Sequence, residues 1–589
     1  MKKLIIYLKD YRKECILAPL FKMLEALFDL FVPLVIAALI DRGISQHNTQ
    51  SIVKMCLLLL LLAAIGLSCS VTAQFFAARA SVGFAAKLRQ ALFDHVQDLS
   101  YRRLDELGTN TLITRMTSDI NQIQNGLNLA LRLLLRSPFI VFGAMIMAFT
   151  VDVRAALSFA VAIPLLCIVV FGIMLISIPL YRRVQASLDK VLGTTRDNLT
   201  GVRVIRAFRK EEHEIEEFDI HNNRLTEVQK FVGRFSALMN PVTFIIINGA
   251  TITLIYTGAV RVNMGSLSQG SVVALYNYMA QILVELVKMA NLIITITRAL
   301  ACAQRVQNIL DTQTDMSYPE KPEEAAGKTE GAAESTSGQV PYGAGVSFDH
   351  VSFTYSGASD ASLSDISFDA LPGETVGIIG GTGSGKTTLV NLIPRFYDPT
   401  KGTVSIGGRD AASYQKGALT EMIGAVPQKA VLFEGTIRDN LKWGNENASD
   451  AELEEALSTA QALEIVRAKE GGLSFKLEQN GRNLSGGQRQ RLTIARALVK
   501  KPKILILDDS ASALDFATEA ALRGALARSL SDTTVFIISQ RAAGVRYADR
   551  ILVLDDGQLV GNGRHEELLS SCAVYQEIYY SQFPEARKA

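Results

Sequence analysis

Six long apolar stretches fill the first half of the sequence, at about 16–40, 52–78, 127–150, 155–180, 238–261 and 272–299. Each can cross about 30 Å of hydrocarbon as a helix, which takes about 20 residues. Their connectors alternate in length. Asp41–Ser51, Val151–Arg154 and Val262–Gly270 are short, whereas Arg79–Gly126 and Tyr181–Ala237 are long and charged. Lys and Arg concentrate at the N-terminus and in the two long connectors, which assigns those to the cytoplasmic side. Six spans then return the chain to the side on which it began. Lys2, Lys3, Lys9, Arg12 and Lys13 precede the first span without a short apolar core and a small-residue cleavage site. This segment reads as an uncleaved amphipathic elbow on the membrane surface.

The long connectors have helical patterns, as in Lys87–Phe93 and Glu211–Phe218. Membrane helices extended by about 25 residues at about 1.5 Å each would project nearly 40 Å beyond the bilayer. The turns near Ser100–Leu107 and Arg206–Phe218 would then reach a soluble domain.

Polar side chains within a span are expensive and point to a role. Asn277, Gln281, Glu285 and Lys288 fall on one face of the sixth stretch, and Glu25 and Asp29 are one turn apart on the first. Two roles fit, a water-accessible substrate pathway or polar adhesion between helices. Pro33, Pro138, Pro164, Pro179 and Pro241 are read as shaping helices.

The chain is 49% hydrophobic yet 20% charged, and that average conceals a division. Asp311–Gly345 loses apolar periodicity and is rich in Glu, Lys, Pro, Gly, Ala, Ser and Thr, the composition of a flexible linker. The expected organisation is a membrane domain over 1–311, a linker over 312–345 and a soluble α/β domain over 346–589. The net charge of +2 gives no basis for nucleic-acid binding. The six cysteines are scattered without a C-x-x-C pair and read as free thiols.

In the soluble part, Gly380-Gly381-Thr382-Gly383-Ser384-Gly385-Lys386-Thr387 matches the phosphate-loop pattern G-x-x-x-x-G-K-[ST]. It follows an apolar strand, Thr375–Ile379, and precedes a helix-like run from Thr388 to Phe396. Glycines let backbone N–H groups curl around phosphate oxygens, and the helix directs its positive end at the same anion. Lys386 is expected at the β- and γ-phosphates and Thr387 on Mg²⁺. Tyr355, about 25 residues upstream, can stack on a base. Ile504–Leu507 is an apolar strand that delivers Asp508 toward the same Mg²⁺.

Leu484-Ser485-Gly486-Gly487-Gln488 separates this sequence from other phosphate-loop proteins. With it, the chain resembles the ATP-binding cassette (ABC) transporters, whose signature is LSGGQ, over essentially its whole length. Six spans followed by one cassette is the layout of an exporter half-transporter. The resemblance implies that Tyr355 stacks on adenine, that Gly380–Thr388 is the Walker A loop, and that Gln428 is the Q-loop glutamine reaching Mg²⁺. It implies that Asp508 is the Walker B aspartate and that Ser512–Asp515 is the D-loop. Gly108, Leu112, Arg115 and Asp119 match the family's first intracellular loop; Ala548–Leu554 and Gly563–His565 are also similar to exporters. In the family, ATP lies between the Walker A loop of one cassette and the signature of another. Ser485, Gly486, Gly487 and Gln488 would therefore serve ATP held by a partner chain. The second intracellular turn would dock on that partner's cassette.

Two positions depart from the family pattern. The glutamate that usually follows the Walker B aspartate is Asp509, and the usual switch histidine is Gln540. The missing methylene draws the carboxylate back by roughly 1.5 Å, whereas a general base must sit within about 3 Å of its proton. Glutamine cannot become a cation at neutral pH. With an intact signature, these changes imply a heterodimer in which this chain holds ATP with slow turnover and its partner's site does most of the hydrolysis. The expected cargo is hydrophobic or amphipathic, and the expected location is a bacterial inner membrane with a cytoplasmic cassette. A homodimeric lipid or peptide exporter with slow hydrolysis, or a nucleotide-gated membrane sensor, are the alternatives.

Overall fold

A computed structural model describes residues 3–319 and 344–587. The expected linker lies largely outside the described residues. The chain forms two compact units. One holds residues 1–97 and 109–312, and the other holds Asp98–Gly108 together with 313–589.

The first unit is helical throughout. In chain order it contains α1 (Arg12–Ala38), α2 (Thr49–Asp98), then α4 (Thr109–Thr114), α5 (Ile120–Leu133), α6 (Arg136–Val151), α7 (Val153–Ala207), α8 (Glu211–Ala237), α9 (Met239–Asn263) and α10 (Gln269–Leu310). α3 (Tyr101–Leu107) belongs to the second unit. Six helical stretches are long and apolar enough to cross a membrane. α2 and α7 continue past their expected spans to Asp98 and Ala207, so the long connectors are helix rather than loop, at about 1.5 Å per residue.

The third span lies within the helical stretch Thr109–Val151. Residues 127–150 fall in it as expected, with a local irregularity at Leu134–Leu135 between α5 and α6, where the backbone stays right-handed helical. Pro138 has no N–H for the carbonyl four residues back, and its ring crowds that carbonyl. Leu4–Tyr11, the segment expected as an elbow, is helical. It runs beside α2 and α10 as a tight helix, with ion pairs from Lys3 to Asp311 at 2.7 Å and between Asp10 and Lys87.

Helix contacts are made by small residues, which let backbones approach where apolar burial offers no advantage over lipid. Ala26, Ala144, Ala148, Ala156 and Ala274 are all buried. At Gly270 a Cβ would sit 2.3 Å from the carbonyl oxygen of Ala37, so only glycine permits this crossing of α1 and α10. Asp41 closes the same junction, accepting from the Gly270 amide at 2.8 Å and the Ser268 hydroxyl at 2.5 Å. Fully buried Tyr278 donates to the Leu30 carbonyl at 2.7 Å. By contrast, Leu57, Leu60, Leu61 and Leu67 of α2 are exposed, as a lipid-facing or partner-facing surface requires.

The second unit has a parallel-sheet core. β3 (Thr375–Gly380), β6 (Ile423–Val426), β9 (Ile504–Asp508), β10 (Thr534–Ile538) and β11 (Arg550–Asp555) lie in parallel, in the order β11-β3-β10-β9-β6, with antiparallel β12 (Gln558–Gly563) at the edge. All five residues of β9 are buried, as strands covered on both faces should be. A second sheet is antiparallel, with the order β2-β1-β4-β5 over β1 (Val346–Phe353), β2 (Leu363–Ala370), β4 (Lys401–Ile406) and β5 (Arg409–Asp410). α11 (Lys386–Leu392) follows β3. Between β6 and β9 lies a mainly helical segment. It holds the small β7–β8 pair (Gly435–Thr436 and Lys476–Leu477), α13 (Ile437–Lys442), α14 (Asp450–Thr459), α15 (Leu463–Arg467) and α16 (Gly486–Val499), after the short α12 (Ala418–Met422). α17 (Phe516–Ser529), α18 (Ala542–Val545), α19 (His565–Ser571) and α20 (Ala573–Gln582) complete the unit.

α3 packs within this second unit. The Tyr101 ring lies 4.6 Å from that of Phe396, and the Tyr397 hydroxyl donates to Asp105 at 2.6 Å. Arg102 donates to Ser356 at 2.6 Å. The first expected turn thus rests on the soluble domain of its own chain.

Candidate functional site

In a parallel sheet, ligands bind beyond the carboxyl ends of the strands. Here β3 ends in the glycine loop, β9 in Asp508, β10 just before Gln540, and β6 just before Gln428. These ends surround a cavity of about 460 Å³ whose wall includes Tyr355, Thr382, Gly383, Gly385, Lys386, Thr387, Thr388, Gln428, Asp508, Asp509 and Gln540. Gly385 adopts a φ of +93°, and a Cβ there would meet the Ser362 carbonyl oxygen at 2.7 Å. The loop therefore needs glycine at this position.

Lys386 is buried, with its ammonium held by the carbonyls of Gly380 (3.0 Å) and Gly381 and by the Ser384 hydroxyl (3.3 Å). Thr387 donates to the Asp508 carboxylate at 3.0 and 3.1 Å. Hydroxyl and carboxylate oxygens meeting at a phosphate loop fit a hard divalent cation such as Mg²⁺, which takes oxygen ligands. When bound with ATP, the ion would neutralise phosphate charge. Gln428 approaches Asp509 at 3.5 Å from the same wall. Tyr355 shares a hydrogen bond with Thr388 at 3.2 Å, and its ring meets Phe353 and Tyr397 edge-on.

Burial pushes the Asp508 carboxyl above its ordinary range, and the neighbouring Asp509 charge adds to the shift, against Thr387 and Lys386. Burial likewise raises Asp509, opposed by Gln428, Arg541 and Lys386. It lowers Lys386, which the two carboxylates counter. Burial thus disfavours the charged form of both carboxylates and of the ammonium in this cavity.

Asp509 has φ +45°, a left-handed conformation that Asp and Asn tolerate better than most residues. Its carboxylate and Gln540 both face the cavity. The signature residues do not. Ser485 caps α16, accepting from the Gln488 amide at 3.3 Å, while the Gln488 side chain accepts from the Ser485 amide at 3.1 Å. Asp515 caps α17 through Thr518 at 2.8 Å. Among the described residues, the cavity wall contains neither Asp515 nor any residue of 484–488. Of the residues singled out from sequence, the structure thus assembles the Walker, Gln428 and Gln540 group on one chain and leaves the signature apart.

In the first unit, Asn277, Gln281, Glu285 and Lys288 of α10 line a cavity of about 410 Å³ with Asp29 of α1 and Arg136 of α6. Glu285 is 3% exposed and accepts from Arg136 (2.8 Å), Ser137 (2.7 Å) and Lys288 (2.9 Å). Arg136 also reaches Asp29 at 3.0 Å and Glu25 at 3.7 Å. Lys22 is buried between Glu25 (2.6 Å) and Ser70 (2.9 Å). Glu285 thereby binds helices together, while its neighbours also face open space. Among the described residues, Gln281 Oε1 and Arg136 Nε are buried without a hydrogen-bond partner. Sequence reasoning missed Arg136, the centre of this network. Its signal was a cation two residues before Pro138 in an apolar run, one helical turn after Arg132.

A cassette joined to six long apolar helices defines an ATP-driven, multi-pass membrane transporter. The ABC transporter transmembrane region family matches residues 15–286, and the ABC transporter family matches residues 363–512. The chain is 35% identical to an uncharacterized ABC transporter ATP-binding protein of Mycobacterium tuberculosis, over 98% of this chain and 97% of the relative. It is 35% identical to the ABC transporter ATP-binding protein YfiB of Bacillus subtilis over 99% of each. It is 30% identical to the ATP-dependent lipid A-core flippase of Yersinia pestis, over 98% and 96%. Its fold is similar to that of a bacterial Atm1-family ABC exporter with ATP bound, with a TM-score of 0.77, 24% identity, and coverage of 97% and 98%. The chain belongs to the ABC transporters and has the exporter fold.

Proposed function

We propose that this chain is one half of a heterodimeric exporter in a bacterial inner membrane, with its cassette in the cytoplasm, and that it moves hydrophobic or amphipathic compounds. The observation that carries the reading is the composition of the nucleotide cavity. Lys386, Thr387 and Asp508 are complete for binding Mg²⁺–ATP, whereas Asp509 and Gln540 stand at the two positions that act on water and γ-phosphate. Ser485–Gln488 caps its own helix away from this cavity and serves ATP on the partner's Walker loop. The turn at Arg206–Phe218 docks on that partner's cassette. Closure of the paired cassettes on ATP moves the long helices, and hydrolysis at the partner's site resets them.

The cavity beside α10 supports an amphipathic cargo. Its wall combines Val32, Ile36, Ile140 and Val284 with Asn277, Gln281, Asp29 and Lys288. The lipid named for the Yersinia flippase is amphipathic too, which keeps a lipid cargo within this class. The test is ATP turnover by the purified chain in lipid nanodiscs, with its oligomeric state and a folding control. Tight ATP binding with slow turnover is expected, and Asp509→Glu with Gln540→His should raise the rate. Fast turnover from a defined homodimer of the unsubstituted chain would overturn the heterodimer and leave the homodimeric exporter.

A further inference from the structure

The segment that carries Gln540 is short of its own hydrogen bonds. It leaves β10 at Ile538 and enters α18 at Ala542. The Ser539 hydroxyl accepts from the Arg541 amide at 2.9 Å. The N-cap position of α18, Arg541, provides no side-chain cap, so the first amide of that helix needs an acceptor from elsewhere.

Gln582, the last residue of α20, supplies it. Its Oε1 accepts from the Ala542 amide at 2.8 Å, and its Nε2 donates to the Gln540 carbonyl at 2.9 Å. One side-chain amide thus brackets Arg541 and fixes the peptide groups on both sides of it. The clasp is anchored. Tyr575 of α20 is fully buried in a cluster with Ala542 and Val545 of α18, and its hydroxyl bonds to His565 at 2.7 Å. Phe583 packs against the same cluster, and Arg546 lies over its ring at 5.9 Å. α20 is therefore rigid with respect to α18, and its terminal amide sets the backbone from which Gln540 enters the nucleotide cavity.

We infer that Gln582 is a positioning residue for ATP hydrolysis, holding Gln540 at the γ-phosphate side of the cavity by a two-point clasp on the switch backbone. Its bond to the cavity is to the backbone carbonyl of Gln540 and not to Lys386, Thr387 or Asp508, which would hold Mg²⁺–ATP, so it acts on the rate of conversion and not on affinity. The inference rests on Gln540 having the switch role proposed above.

The experiment is single-turnover conversion of bound Mg²⁺–ATP by the full chain in nanodiscs, with the ATP dissociation constant measured on the same samples. Gln582→Ala should leave affinity within about twofold and slow conversion about fivefold, the factor for about 1 kcal/mol of lost hydrogen bonding. Gln582→Glu keeps the acceptor for Ala542 but loses the donor to Gln540, and should fall in between. In a Gln540→Ala background, Gln582→Ala should add nothing. Hydrogen exchange at the Ala542 amide should accelerate in Gln582→Ala and confirm that the clasp has opened. If Gln540→Ala alone leaves conversion unchanged, the switch assignment fails. If Gln540→Ala slows conversion but Gln582→Ala does not, the inference about Gln582 fails. It also fails if the Gln582→Ala effect persists undiminished without the Gln540 side chain, or if the unsubstituted chain converts none of its bound ATP.

Discussion

Replacing Glu285 with alanine removes the one acceptor shared by Arg136, Ser137 and Lys288 inside the membrane unit. Breaking a buried pair by deleting one partner typically costs about 3–5 kcal/mol. Two features reduce that figure. Arg136 keeps Asp29 at 3.0 Å and Glu25 at 3.7 Å, and polar contacts within a bilayer average only about 0.6 kcal/mol each. Three such contacts plus a partly stranded guanidinium give about 2–3 kcal/mol. At roughly 2–4 °C per kcal/mol, Glu285→Ala should lower the apparent melting temperature in nanodiscs by about 6 °C at a fixed scan rate. Arg136→Ala should cost a similar amount, because it takes the Arg136 cation from Asp29 and leaves Glu285 with Lys288 and Glu25 with Lys22. The pair Arg136→Ala with Glu285→Ala removes one charge of each sign and should recover at least half of the summed loss, a coupling of about 2 kcal/mol. A double variant that loses the full sum of the two shifts would refute the network as described. The charges would then act independently, each reaching water by itself.

Asp508→Asn should raise the melting temperature of the nucleotide-free protein at neutral pH and abolish its Mg²⁺-dependent response to ATP. A carboxyl whose pKa is raised by folding favours the folded state while protonated, and that contribution is lost as pH rises through the raised value. The gap between variant and parent should therefore close as pH falls toward the ordinary Asp value of about 3.9; a gap that widens on acidification refutes the assignment. Tyr397→Phe removes the hydrogen bond to Asp105 and should leave ATP affinity unchanged while weakening the stimulation of ATP turnover by transported compounds. Unaltered stimulation would show that the Tyr101–Phe396 contact and the Arg102–Ser356 bond suffice to hold α3.

Element type was legible wherever one physical constraint ruled a segment. Lipid allows little but helix for a run such as 155–180, and G-x-x-x-x-G-K-T needs a strand before it and a helix after it. The helical extensions of α2 and α7 were legible too, because charged residues there keep helical spacing. Pro138 was read as shaping a helix, and the irregularity at Leu134–Leu135 falls within four residues of it. What was not legible depends on partners distant in sequence. Lys3 pairs with Asp311, some 300 residues away, and no local pattern carries that pairing. Asn277, Gln281, Glu285 and Lys288 were correctly grouped by helical spacing. Their division of labour was not legible, since it depends on Arg136, which lies on another helix.

The cassette ties its nucleotide cavity to α3 through a short path of aromatic contacts. Tyr355 lines the cavity and meets the Tyr397 ring at 5.5 Å, and Tyr397 bonds to Asp105 while Phe396 packs on Tyr101. Phe396 and Tyr397 lie just beyond α11, whose first residue is Lys386. α11 and Tyr355 therefore converge on Phe396 and Tyr397, which hold α3 together with Ser356. α3 is joined to α2 by two residues and to α4 by one, too few to absorb much movement as slack. A displacement of α3 on ATP binding would therefore act on α2 and α4 through the chain itself. Interior packing is close and transmits strain, so the aromatic path needs no flexible intermediary.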